Sequence, residues 1–236
     1  MAFISPILIT GAAQRLGLAV AIDLHKQGHE VIVTYRSEKP GLDVLDNLGV
    51  TLIHADFDEP DGCEKLCRRI QSDYDALRAV IHNASAWEPE SSELSPSLID
   101  RMMNIHVKVP YHINLALAPQ LIAHKGKCDI IHFTDYVAQT GSKKHIAYAA
   151  SKAALENMTL SFAQQFAPEI SVNNIAPALL MFNEDDSEEY KEKALKKSLL
   201  GFCPGANEAV KAVNYLLDTH YMTGQTLHLN GGRHLK

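Results

Sequence analysis

The feature that most constrains this chain is an alternation. Short, nearly continuous β-branched and aliphatic runs are separated by longer stretches whose apolar residues recur at helical spacing. The runs are Ile7–Ile9, Glu30–Thr34, Val50–Ile53, Ala79–Ile81, Asp129–Phe133, Ile170–Val172 and Gln225–Leu229. They lack a clean in/out alternation, so each reads as a strand buried on both faces of a parallel sheet. Parallel neighbours need long crossovers, and the intervening helical stretches supply them in the right-handed sense. Leu16, Ala19, Val20 and Leu24 form one apolar stripe, and Gly28 follows where a helix cap is expected. The expected fold class is α/β: a single domain over 1–236, doubly wound, with a seven-stranded, mostly parallel sheet and helices on both faces.

A chain of 236 residues buries a core without staples. Its 46% hydrophobic and 21% charged residues exclude a disordered chain. The 22 basic against 28 acidic residues leave a net charge of −6, a poor match to a nucleic-acid backbone. No apolar run approaches the roughly 20 residues that span a bilayer. Neither nucleic acid nor membrane is therefore an expected partner. The apolar opening Ala2–Ile9 has no basic lead-in and runs straight into Thr10-Gly11, so it reads as strand and not as a signal peptide. Cys63, Cys67, Cys128 and Cys203 are too few for a disulfide framework, and neither they nor the twelve histidines show metal-ligand spacing. His106, His112, His132 and His145 read as ordinary helix, strand and loop positions. Free thiols, no metal and a cytoplasmic location are expected.

One stretch breaks the rhythm. Residues 179–207 read as loop, acidic run, helix and loop, with Glu189/Lys193 and Glu192/Lys196 as (i, i+4) pairs. A long insertion after a strand, at the carboxyl edge of the sheet, is where a substrate lid sits.

Thr10-Gly11-Ala12-Ala13-Gln14-Arg15-Leu16-Gly17 follows the first strand and opens the first helix. Gly11 permits the tight turn, Gly17 permits close helix–strand packing, and the free N–H groups of the helix start suit a pyrophosphate. This is the strand–turn–helix context of a dinucleotide (Rossmann) site. The second strand ends in Tyr35-Arg36-Ser37 with no acid to bind ribose hydroxyls. Arg36 and Ser37 instead suit a 2′-phosphate, which favours NADPH over NADH.

Downstream, Tyr148-Ala149-Ala150-Ser151-Lys152 sets a phenol and an ammonium four residues apart on one helix face. A neighbouring cation favours phenolate, so Tyr148 is expected to be an acidified general acid near neutral pH. Together with the glycine turn, this pair resembles the short-chain dehydrogenase/reductase family. Other matches run along the chain. Asn83-Ala84-Ser85 stands where the family has Asn-Ala-Gly, Asn104 where it has a structural asparagine, and Asp56 where an acid meets the adenine. Val172–Pro177, Thr223-Gly224-Gln225 and Gly231-Gly232 resemble its later strands.

The departures narrow the resemblance. Arg15 replaces the middle glycine of the turn, Ser85 the last glycine of Asn-Ala-Gly, and Asp135, thirteen residues before Tyr148, the catalytic serine. An ionised carboxylate only accepts hydrogen bonds, so it serves a ketone poorly and suits a ring whose nitrogens donate or must be protonated. Thr134 does not restore the hydroxyl, because a strand neighbour faces the other way. In these positions the chain is similar to the pteridine reductase branch. That resemblance implies NADPH-dependent reduction of a reduced pterin or folate, with hydride going to C6 and a proton to N5. It implies Tyr148, Lys152 and Asp135 as the catalytic group, with Lys152 also on the nicotinamide ribose. Cofactor contacts are implied for Leu16, Asp56, Asn83, Ala84 and Pro177. Arg15 and Ser85 lie beside phosphates and pterin in this picture, Trp87 stacks on the pterin, and Leu179 contributes to its pocket. A homo-oligomer, a tetramer, is implied as well. A carbonyl reductase acting on a ketone or acyl thioester, and a non-catalytic dinucleotide-binding regulator, stay open as alternatives.

Overall fold

The structure, a computed structural model, describes residues 5–90 and 96–236; Ala2–Ile4 of the apolar opening lie outside them. The described residues form strands β1 (Ile7–Thr10), β2 (Val31–Tyr35), β3 (Thr51–His54), β4 (Ala79–His82), β5 (Cys128–Phe133), β6 (Ile170–Pro177) and β7 (Thr226–Leu229). Each falls on an expected run. They make one sheet in the order β3-β2-β1-β4-β5-β6-β7. Every adjacent pair is parallel, so the expected mostly parallel sheet is wholly parallel. β6 runs five residues beyond its expected end, through two asparagines. Their side chains are satisfied in place: Asn173 Oδ1 accepts from Gln225 N at 3.0 Å, and Asn174 Oδ1 accepts from Thr159 Oγ1 at 2.8 Å. A buried strand tolerates polar side chains once each has a partner.

The helices are α1 (Arg15–Lys26), α2 (Pro40–Asn47), α3 (Gly62–Asp73), α4 (Pro96–Met103), α5 (Val109–Ala123), α6 (Val137–Thr140), α7 (Ile146–Phe166), α8 (Glu188–Leu195) and α9 (Asn207–Asp218). A single π turn, Asn104–Lys108, joins α4 to α5. α1 ends as expected. Gly28, at φ +90°, donates to His25 O at 2.9 Å while His29 N reaches Leu24 O at 3.1 Å. This paired closure needs a left-handed residue, which glycine supplies without steric cost.

Alternation along the strands divides the core. Ile7, Ile9, Val31, Val33 and Ile131 pack under α1 and α9. Leu8, Ile32, Val80, Ile130 and Val172 pack against α3, α5 and α7 on the other face. Helices therefore cover both sides, and the strand order reverses between β1 and β4. In such sheets the crevice outside the carboxyl ends at that reversal receives ligands. At the opposite end, Asp129 is buried between Arg78, at 2.5 Å, and Lys127. Among the described residues no helix is long and apolar enough to cross a membrane, and no group of metal-binding side chains occurs. All four cysteines are free thiols.

Candidate active site

A cleft of about 630 Å³ opens at the reversal point, lined by the β1–α1 turn, Arg36, Ser37, Asp56 and the β4 exit. Gly11 sits at φ +65°, and a Cβ there would meet Ala84 Cα at 2.6 Å. A Cβ on Gly17 would meet Asn83 Nδ2 at 2.5 Å, so both glycines are needed for close approach. Asn83 staples the turn, donating to Gly11 O at 2.7 Å and Thr10 O at 3.2 Å. Its amide is thereby committed to the protein. α1 opens with no side-chain cap and no acid in its first turn, leaving free N–H groups at the cleft. Residues, volume and charge fit a dinucleotide. Arg36 projects half-exposed on the cleft rim and pairs with Asp58 at 3.1 Å. Pro177 is buried, its carbonyl accepting from Tyr136 N at 3.0 Å, and it does not line this cleft.

Asp135, Tyr148 and Lys152 do not line this cleft themselves but come together as a buried group. Tyr148 Oη donates to Asp135 Oδ2 at 3.0 Å, and Asp135 Oδ1 accepts from Val137 N at 3.0 Å. Lys152 Nζ donates to Phe133 O at 2.8 Å and stands 5.6 Å from the Tyr148 ring centre. Tyr148 and Lys152, one helical turn apart on α7, are 8% and 2% exposed. Burial raises the Asp135 carboxyl, partly offset by its hydrogen bond from Val137 and by the Lys152 charge. Burial lowers Lys152 to about 8.

The structure corrects the expectation of an acidified tyrosine. Burial first, and then the charge of Asp135, hold the Tyr148 phenol well above its ordinary range. The cation is four residues away, but the carboxylate is in hydrogen-bond contact. Tyr148 is therefore held neutral, with its Oη donating to Asp135.

Asn104 Nδ2 donates to Phe57 O at 2.8 Å. His106 is the residue beside the pair, which the sequence did not single out. It is buried, edge-on to the Tyr148 ring at 5.3 Å, with Nε2 2.7 Å from Ser85 Oγ and Nδ1 2.8 Å from Ser151 Oγ. The available signal was a polar residue within the buried stripe Met102, His106, Val109, Ile113.

The family model for "short chain dehydrogenase" matches residues 5–191. This chain belongs to the short chain dehydrogenase family. Among its curated relatives, dihydromonapterin reductase of Enterobacter sp. (strain 638) is 50% identical over 233 residues, covering 98% of this chain and 97% of that protein. Dihydromonapterin reductase of Citrobacter koseri is 49% identical with the same coverage. A solved structure of FolM alternative dihydrofolate reductase 1 from Brucella canis, complexed with NADP, superposes with a TM-score of 0.90 at 27% identity, covering 100% of this chain and 96% of that one.

Within the short chain dehydrogenase fold, three more of the expected site residues have particular settings. Arg15 occupies the left-handed region at φ +55°, a conformation that costs a non-glycine residue about 1–2 kcal/mol. Its guanidinium ties the turn to the 179–207 segment, donating to Met181 O at 3.1 Å, Phe182 O at 3.3 Å and Asn183 Oδ1 at 2.7 Å. Trp87 is 64% exposed at the cleft mouth and stacks on His145 with ring centres 4.3 Å apart. Leu179 lines a separate cavity of about 310 Å³ under α8, with Leu200 and Phe202. Glu189 pairs with Lys193 at 2.5 Å as expected, but among the described residues the Glu192/Lys196 pair is not formed; Glu188 pairs with Lys191 at 2.6 Å instead. Arg233, near the chain end, lies 4.4 Å over the Tyr136 ring of its own chain.

Proposed function

We propose that this chain reduces 7,8-dihydromonapterin to the tetrahydro form with NADPH, and that it accepts dihydrofolate as a second substrate. The observation that carries this reading is the carboxyl of Asp135 in hydrogen-bond contact with Tyr148, in place of a family hydroxyl. The names of the dihydromonapterin reductase relatives and of the NADP-bound neighbour support it. When bound, NADPH supplies the hydride. The turn at Gly11, the α1 start and Arg36 would hold it, with Lys152 on the ribose. Asp135 takes up a donor edge of the pterin, and the neutral Tyr148 phenol holds the proton destined for N5. Trp87, by exchanging His145 for the pterin ring, supplies a stacking face. The 179–207 segment, latched by Arg15, acts as lid of a single domain. The half-exposed Tyr111, Leu115 and Ile122 on α5 fit a homo-oligomer, and the unpaired thiols fit the cytoplasm.

The reading is tested by following NADPH oxidation over a panel of dihydropterins, dihydrofolate and simple ketones. Turnover of ketones ahead of every pterin would favour a carbonyl reductase.

Two more measurements bear on it. Arg36 holds only an exposed ion pair, worth at most about 1 kcal/mol, so a 2′-phosphate can take the place of Asp58. Charge-assisted bonds of about 1.5–3 kcal/mol mean that Arg36→Glu raises the NADPH KM by roughly 10–150-fold and leaves that for NADH nearly unchanged. Equal effects on both cofactors exclude a 2′-phosphate site. The second measurement is the pH profile. Burial disfavours the Lys152 ammonium, so the cation is present below about 8 and lost above it. kcat/KM therefore declines about tenfold per unit on the alkaline side of that value. A profile flat to the ordinary lysine range near 10.4 removes Lys152 as the required cation.

A further inference from the structure

Three short contacts link the Tyr148 backbone to the cleft wall, and counting their protons leaves one solution. Ser151 Oγ lies 2.8 Å from Tyr148 O. A carbonyl only accepts, so the single Ser151 proton is committed to it, and only lone pairs remain toward His106. At 2.8 Å from Ser151 Oγ, His106 Nδ1 must then carry the ring proton. The ring has no second proton, because burial and the nearby Lys152 charge push its pKa down to about 2. Nε2 is left with a lone pair, and Ser85 Oγ, 2.7 Å away, must donate to it. Two other acceptors lie near Ser85, the Ala86 carbonyl at 3.5 Å and the Tyr148 oxygen, but the 2.7 Å contact to a bare Nε2 can be filled only by the Ser85 proton.

We propose that His106, held as the Nδ1–H tautomer by Ser151, is a positioning residue that makes the Ser85 hydroxyl an obligate acceptor at the cleft. The π turn makes this possible. Its wider winding brings His106 inward between Ser85 and Ser151, while Asn104 faces Phe57. The consequence is chemical selectivity. Ser85, with its proton spent inside the protein, cannot polarise a carbonyl. Ser85 and Asp135 both offer lone pairs, and the ligand they fit presents N–H groups, as an aminopyrimidinone ring does. That last step rests on the proposed pterin reduction; the tautomer does not.

The test is imidazole nitrogen NMR on the full chain carrying ¹⁵N-histidine, with the His106 signals assigned through His106→Asn. The expected spectrum has Nδ1 protonated and Nε2 bare across the neutral range. In Ser151→Ala the Nδ1 acceptor is gone, so the proton moves to Nε2 and the Ser85 proton is released. That variant then shows a dihydropterin KM raised by about 2–10-fold, the size of one neutral hydrogen bond, with kcat largely kept. A merely structural role for Ser151 would move neither the tautomer nor KM apart from kcat. An Nε2–H or doubly protonated ring in the unmodified chain overturns the proposal, even if Ser151→Ala fails to fold. An Nδ1–H ring in a chain that turns over no pterin overturns the functional reading and leaves the positioning role of His106 standing.

Discussion

Replacing Tyr148 with phenylalanine lowers kcat for the dihydropterin by about 10²–10⁴-fold, the range for loss of a positioned acid. In the proposed reduction the phenol is the neutral donor, since burial and Asp135 hold its pKa well above the ordinary range. It is also 8% exposed, so bulk water has little access to replace it. The residual activity carries a diagnostic sign. The Tyr148 hydrogen bond is one of the contributions that lower the Asp135 pKa, against the larger effect of burial. Its removal raises Asp135 further, so a larger fraction of this carboxyl is protonated at any given pH. Residual turnover in Tyr148→Phe should therefore grow as pH falls. Near-normal turnover, independent of pH, would show that water alone protonates the ring and that the Asp135–Tyr148 contact is idle.

Asp129→Ala is expected to destabilise the protein by about 3–5 kcal/mol, because it strands two cations in a poorly solvated site. Asp129 is 1% exposed, and Arg78 and Lys127 are 15% and 13% exposed around it. For a chain of this size that loss lowers Tm by roughly 6–20 °C. The carbonyls of Leu217 and Leu216, which accept from Arg78 at 2.9 Å and Lys127 at 2.8 Å, set the lower end. Replacing all three ionic groups with apolar residues of similar volume should recover most of the loss, since a removed triad leaves no unpaired charge. Thermal unfolding of the single and triple variants decides it. A Tm for Asp129→Ala within 2 °C, as for an ordinary surface change of about 0.5 kcal/mol, would mean that water reaches both cations. The site lies at the amino end of β5, opposite the cleft, so cofactor binding should be retained.

Much of this architecture was legible in the residues. Ile7–Ile9 and Val31–Val33 are strands because β-branched and aliphatic side chains suit a pleated surface buried on both sides, and that preference is local. Gly28 closes α1 because the chain there must be left-handed, which is local as well. The turn from Gly11 to Gly17 and the Tyr148/Lys152 spacing were equally readable, since helical geometry alone sets them on one side of the sheet or one face of a helix.

The electrostatics of the site were not readable in this way. Sequence spacing placed a cation four residues from Tyr148 and implied a lowered pKa. Folding buried the phenol and brought Asp135 to 3.0 Å, which reversed the sign. Trp87 on His145, and Arg15 on Met181–Asn183, are likewise pairings across distant segments whose geometry depends on chain closure.

By itself the sequence determined the strand set, the doubly wound class and the cofactor turn, which follow from backbone preference and periodicity acting over a few residues; Asp135 as the residue opposite Tyr148 was implied by the resemblance to the short-chain dehydrogenase/reductase family. Only the tertiary structure decided which side chain stands beside Tyr148, because His106 in the π turn meets Ser85 and Ser151 from distant segments only when the chain has closed. It also decided who holds each proton, because hydrogen-bond direction and desolvation are set by neighbours that meet only when the chain has closed.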